Sequence, residues 1–306
     1  MIQLWYPAER GGARAAYLPA RVGRLLARDY RLPAATFTRI TTNAFQRGEP
    51  LQRGDRYPVI VFSPGYSVPR NLYSTLFEDL ASRGFVVVAL DHTYESEAVQ
   101  FPDGRLVRRT LPENPIDPKH PTPYRLILKM IDTRISDMRF VLRTLPRINR
   151  AVGRTMDTRR VGVFGHSLGG LTAAANAGTD ATVRAGADLD GSIYGPGARK
   201  VTSRPFMIMT HHGDATMATY WSRLHRPRLF VRINGTRHLN FSDWNVLSRW
   251  LRTTSRRIPS LGPIAPARAL AIVRAYLFAF FDRYVADAQA PLLDQPSPWP
   301  EVTLRR

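Results

Sequence analysis

The chain predicts an α/β protein whose central sheet is mostly parallel and flanked by helices. Three observations carry that prediction. Short apolar, β-rich runs alternate with segments of helical period, the pattern of strand–helix–strand units. At 160–175, "RVGVFGHSLGGLTAAA", an apolar run passes into a helix-like segment across a polar Ser with Gly two residues to either side. The length of 306 residues and the 44% hydrophobic composition suit one large domain with a sizeable core, so a single domain over 1–306 is expected.

The elements follow in order. The chain begins in a strand-like run, "MIQLWYP". Residues 8–56 are too many for a turn and are expected to form an insertion that folds over the sheet and borders the site. "YPVIVFSPG" reads as a short buried strand ending in a Pro-Gly turn. In "NLYSTLFEDLASRG", Leu72, Leu76 and Leu80 recur at helical spacing and Gly84 supplies a cap. "FVVVALD" is the next strand. Proline at every third position from Pro112 to Pro121 favours an extended surface loop over 111–123. Helices are expected over 124–145 and, after the strand "RRVGVFG", over 168–177. "AGADLDG", "RPFMIMTHH" and "RLFVRING" complete the strands, with closing helices over 243–252 and 267–286.

Composition excludes several classes. No stretch reaches the roughly 18 uncharged apolar residues of a membrane span. The nearest, "ALAIVRAYLFAFFDRYV", is broken by Arg274, Asp282 and Arg283 and reads as a helix packed on the sheet. With no cysteine there are no disulfides, thiolate metal sites or Cys nucleophiles. "MIQLWYPAER" lacks the basic and apolar regions of a signal peptide. As written the chain is expected to be cytoplasmic, and to be secreted or membrane-associated if residues precede it. The net charge of +20 is almost all Arg, since Lys occurs only at Lys119, Lys129 and Lys200. The arginines are dispersed, as expected of solvated cations; peripheral contact with an anionic membrane is the partner they suit, and nucleic acid is not expected.

"GHSLG" fits Gly-x-Ser-x-Gly between strand and helix. In a nucleophile elbow the Ser sits on a sharp, strained turn that exposes its Oγ. Gly165 and Gly169 lack the side chains that such a turn would press against its neighbours. A serine needs a base, and the base an orienting carboxylate, in the chain order Ser, acid, His. Downstream of Ser167 lie His211, His212, His225 and His238. His238 follows the strand "RLFVRING", where the base should sit. His211 and His212 read as polar residues at a strand tip. No metal site is expected, because adjacent histidines point apart and no third ligand is usefully spaced.

Position leaves two acids open: Asp190 in "ADLDG" and Asp214 in "HHGDA" both end strands. Asp188 shares the face of Asp190 but sits deeper. The oxyanion hole needs two preorganised N–H donors. Leu168, directly after the nucleophile, supplies one, and Tyr66 in "SPGYS" is the choice for the other. His92 and Tyr94, in "LDHTYES", are candidates for the acyl pocket or for a structural role. His166 reads as structural.

Together these segments resemble the serine-esterase branch of the α/β-hydrolases, and more narrowly the plasma-type platelet-activating factor acetylhydrolases and their bacterial relatives. The resemblance runs through "WYPAE", through 51–92 and through "GHSLGG", "DLDG" and "RHLNFSD", which occupy the family's nucleophile, acid and histidine positions. It favours Asp190 over Asp214. Cutinases and polyester hydrolases place the acid where Asp214 stands and share the "SPGY" turn. Pro64 departs from the acetylhydrolase pattern, which commonly has His there. The resemblance implies an enzyme without cofactor or metal that removes a short or oxidised acyl chain from a phospholipid-like ester. The alternatives are a cutinase-like lipase or polyesterase, and an inactive hydrolase fold that binds anionic lipid or nucleic acid through arginine.

Overall fold

The structure, a computed structural model, describes residues 1–52, 54–112, 122–250 and 260–306. Its elements run β1 (Ile2–Trp5), β2 (Arg14–Ala16), α1 (Ala20–Asp29), β3 (Thr41–Phe45), β4 (Tyr57–Ser63), α2 (Ser74–Ser82), β5 (Val86–Leu90), β6 (Ala98–Gln100) and β7 (Leu106–Arg108). There follow α3 (Tyr124–Ala151), β8 (Met156–His166), α4 (Leu168–Thr179), β9 (Val183–Leu189), β10 (Phe206–Thr210), α5 (Ala215–Arg223), β11 (Arg228–Ile233), α6 (Trp244–Trp250), α7 (Pro266–Tyr284) and β12 (Val302–Arg305). Among the described residues, eight strands form the main sheet in the order β1-β5-β4-β8-β9-β10-β11-β12. The six inner strands are parallel, and β1 and β12 close the edges antiparallel.

The α/β prediction therefore holds, and the reason is visible within single strands. Successive side chains point to opposite faces. In β4, Ile60 and Phe62 join Leu76 and Phe77 of α2 and Ile272 and Phe281 of α7 on one face. Val59 and Val61 join Met138, Val141 and Leu142 of α3 and Ala173 and Ala174 of α4 on the other. Both faces are covered, which is why the inner strands read as continuous apolar runs. Each fully buried large side chain contributes roughly 1.5–3 kcal/mol. The parallel strands all end at one rim, formed by Ser63, Leu90, His166, Leu189, Thr210 and Ile233. Ligands of open parallel sheets bind beyond such carboxyl ends.

Several elements differ from the sequence prediction. The helix expected over 124–145 runs on to Ala151. Leu72 lies in a 3₁₀ turn, Arg70–Tyr73, that precedes α2. The insertion holds α1 and the β2–β3 ribbon, and Tyr17, Leu18, Val22 and Leu26 bury into the α2/α7 face. It also reaches the loop after His238: the Tyr17 hydroxyl donates to Asp243 at 2.9 Å, and Tyr30 packs edge-on to Trp244 at 5.0 Å. The centre of the proline-rich loop, 113–121, and the end of the helix expected over 243–252 lie outside the described residues.

Candidate active site

Ser167 stands between β8 and α4 with φ 55° and ψ −123°, a region costly for any residue with a side chain. Its neighbours make the turn possible. A Cβ on Gly165 would lie 2.2 Å from the carbonyl carbon of Gly169, and one on Gly169 would lie 2.0 Å from the carbonyl oxygen of Ser63. Only bare backbone fits where β4, β8 and α4 meet. The Ser167 N–H donates to the Leu189 carbonyl at 2.8 Å, which ties the elbow to the end of β9 beside Asp190.

Asp190, also at positive φ (57°), is 5% exposed. Its Oδ2 accepts from His238 Nδ1 at 2.7 Å. Its Oδ1 accepts from the Thr210 hydroxyl at 2.7 Å, the His211 main-chain N–H at 3.0 Å and His211 Nδ1 at 2.7 Å. Burial alone would raise this carboxyl. The hydrogen bonds from His211, His238 and Thr210, with the charge of His238, outweigh burial and hold it well below the usual carboxylate range. A His238 that donates from Nδ1 presents Nε2 as a base. Among the described residues no hydrogen bond within 3.5 Å joins Ser167 Oγ to His238; such bonds tighten when substrate binds. His166, the residue before Ser167, has its ring 4.5 Å from the His238 ring.

Asp214 does not meet a histidine. It caps α5, accepting from the Met217 N–H at 2.8 Å and the Thr216 hydroxyl at 2.6 Å, and from Ser192. Its place at a strand end is explained by helix capping. Asp188 is fully buried and accepts from the Gly191 N–H at 2.9 Å; burial and then the charge of Asp190 push its carboxyl up. Contrary to the expectation that the adjacent histidines point apart, the His211 and His212 rings lie 4.0 Å from each other, tilted by 46°, and offer with Asp190 three ligand atoms within 4.8 Å of one another. Asp190, however, already accepts from protein donors through both oxygens.

The N–H groups of Tyr66 and Leu168 have no protein acceptor among the described residues. The turn that carries Tyr66 is clamped from below. Arg134, 1% exposed on α3, donates to the Pro64 carbonyl, to Ser63 Oγ at 3.1 Å and to the buried Glu95.

For His92 and Tyr94 the sequence leaves two readings open, acyl pocket or structural role, and the two residues sit in different surroundings. His92 is 3% exposed, with Nε2 at 2.9 Å from Ser63 Oγ and Nδ1 at 2.7 Å from Asp137. Burial, then Arg134, pushes it down to about 3, so it is a neutral structural link with no free nitrogen. Tyr94, 53% exposed, lines a groove of about 800 Å³ between β1 and α3 whose walls include none of Ser167, Asp190 or His238. Arg134, Thr210 and His211 were not anticipated in these roles. Arg134 had a readable signal: it is a charge at a buried phase of α3, among Ile131, Ile135 and Met138.

Comparison with known proteins identifies the family. The family model described as platelet-activating factor acetylhydrolase, isoform II, matches residues 3–105 and 144–290. A "Probable 1-alkyl-2-acetylglycerophosphocholine esterase" from Arthroderma benhamiae is 28% identical over 89% of this chain and 72% of its own length. The platelet-activating factor acetylhydrolase of Cavia porcellus is 23% identical over 77% of this chain, which spans 59% of that relative. Among solved structures, a ferulic acid esterase from Streptomyces cinnamoneus superposes with a TM-score of 0.78 at 30% identity, covering 100% of this chain and 88% of the esterase. The chain thus belongs to the platelet-activating factor acetylhydrolase, isoform II, family and is an ester hydrolase with an α/β-hydrolase fold.

Proposed function

We propose that the chain hydrolyses carboxylic esters through an acyl-enzyme formed on Ser167, with His238 as base and then acid and Asp190 as the orienting carboxylate. The observation that carries this reading is the 2.7 Å Asp190–His238 bond beside a serine held at a strained elbow. His238 Nε2 takes the Ser167 proton as Oγ bonds to the acyl carbon. The oxyanion that forms accepts from the free N–H groups of Tyr66 and Leu168, which need no reorganisation. Collapse breaks the ester C–O bond, and the leaving alcohol takes the proton from His238. Water then repeats the sequence on the acyl-enzyme, releasing the carboxylic acid. Asp190 stabilises the imidazolium in both halves.

The substrate in this reading is a phospholipid-like ester with a short or oxidised acyl chain. The names of the fungal and mammalian relatives support it, and so does the acid at position 190 in place of 214. The structural likeness to a ferulic acid esterase favours a second reading, an aryl-acrylic ester. A hydrolysis profile separates them. Acetyl to butyryl glycerophospholipids are expected to be fastest; a maximum on feruloyl esters would favour the second reading, and one on long triglycerides or polyester film a cutinase-like enzyme. An inactive fold predicts no labelling by a fluorophosphonate.

Contact with an anionic membrane belongs to the same proposal. Arg143, Arg147 and Arg150 follow one another along the outer side of α3, with Phe140, 62% exposed, a turn earlier. Among the described residues none of the three has a carboxylate partner. Phe140 and Arg147 also line the apolar groove beside β1. Sedimentation with anionic vesicles is expected to fall as salt rises and to weaken in Arg143→Glu/Arg147→Glu. Equal binding to neutral vesicles would count against the contact.

A further inference from the structure

We propose that Tyr73 and His166 are positioning residues, forming a buried hydrogen-bonded relay that locks the oxyanion turn to the loop carrying His238. The inference rests on the assignment of Ser167 and His238 above.

Donor and acceptor chemistry leaves the relay one direction. His166 Nε2 lies 2.9 Å from the main-chain carbonyl of His238, which can only accept, so Nε2 carries the proton. His166 Nδ1 is then a lone pair, and it accepts from the Tyr73 hydroxyl at 2.8 Å. The Tyr73 oxygen in turn accepts from the Gly65 N–H at 3.0 Å. The series therefore runs Gly65 N–H to Tyr73 O–H to His166, and from His166 N–H to His238 C=O. Its first member is the peptide next to Tyr66, whose N–H awaits the oxyanion. Its last is the main chain of the base itself.

The surroundings suit a fixed part and not a titrating one. Tyr73 is 0% and His166 1% exposed. Burial, then the charge of His238, pushes His166 down to about 3, so it stays neutral when His238 becomes charged. The two rings lie 4.5 Å apart, tilted by 37°. A Cβ on Gly65 would come within 3.1 Å of His166 Nδ1 and 3.2 Å of the Tyr73 hydroxyl oxygen, which accounts for the glycine in "SPGY". His92, the other buried histidine near this turn, is bonded to Ser63 and Asp137 and takes no part.

The test compares Tyr73→Phe, His166→Leu and His166→Gln with the native chain, using p-nitrophenyl acetate. Gln can offer an amide N–H to His238 and a carbonyl to Tyr73, whereas Leu offers neither. In the two apolar variants kcat is expected to fall on the order of ten- to a hundred-fold, because small misplacements of reacting groups cost that much. KM should stay within about two-fold, since the relay touches no part of the bound substrate. Affinity for a trifluoromethyl ketone, which mimics the tetrahedral adduct, should fall with kcat, and Gln should recover most of both. A kcat within about two-fold of native in Tyr73→Phe and His166→Leu, or a Gln variant no better than Leu, overturns the relay. Should an apolar variant fail to fold, the Gln variant alone decides: folded by its melting midpoint yet more than about ten-fold slower, it too overturns the relay. Failure of the underlying assignment shows separately, as activity that survives Ser167→Ala.

Discussion

Asp190 accepts from two imidazoles, and their contributions to the chemistry differ. In the proposed mechanism the bond to His238 sets which nitrogen of the base is free. Asp190→Asn presents an amide that can donate, selects the wrong tautomer and should lower kcat on the order of 10⁴-fold. The bond to His211 steadies the carboxylate, and the Thr210 hydroxyl and His211 main-chain N–H remain when the second ring is removed. His211→Asn should therefore cost only about ten-fold or less. Asp214→Asn should leave kcat near native, and any loss should appear as stability, at most about 1 kcal/mol from a weakened cap. Steady-state kinetics of the three variants on one short ester, with urea melts, checks this ordering. A collapse of kcat in Asp214→Asn alone would reverse the choice of acid.

At the scale of elements, α3 does more than cover the sheet. Its buried Arg134 reaches across to the turn after β4 and is neutralised by Glu95. A buried pair of this kind is costly to break, because the surviving charge keeps its desolvation penalty. Arg134→Leu should lose about 3–5 kcal/mol in denaturant unfolding, and Arg134→Leu/Glu95→Leu should recover part of it. A double variant less stable than the single would show that Glu95 makes stabilising contacts apart from Arg134, and would contradict the penalty of a stranded charge. The period of α3 was readable from its apolar residues, but the partner of Arg134 was not. Glu95 lies 39 positions away in the chain and meets it only once β5 and α3 flank β4.

For the molecule as a whole, local pattern carried the inner strands and the elbow, because both depend on residues close in sequence. Ser167, Asp190 and His238, the residues of the proposed triad, stood out in the sequence because each follows a predictable strand. What stayed hidden depends on distant packing. His92 looks accessible at a strand end, yet Ser63 and Asp137 close over it. Tyr17, in the insertion, meets Asp243 across 226 positions. The burial of Asp243 gives the fold a pH dependence. Burial raises Asp243 to about 6 from an ordinary 3.8, despite bonds from Thr75 and Tyr17. The folded state thus holds the proton more tightly than the unfolded one, and this group's contribution to stability falls as pH rises from about 4 to 6. The loss is on the order of 3 kcal/mol. It should be absent from Asp243→Asn when melts are compared across that range; an unchanged pH slope would contradict the assignment.

In the proposed mechanism distant residues converge to make one hydroxyl reactive. Mapping a fluorophosphonate adduct by mass spectrometry, alongside p-nitrophenyl butyrate turnover, decides whether that hydroxyl is Ser167. A single adduct on Ser167 is expected, with turnover lost in step with labelling and neither adduct nor turnover in Ser167→Ala. Labelling at another residue, or native turnover in Ser167→Ala, would contradict it.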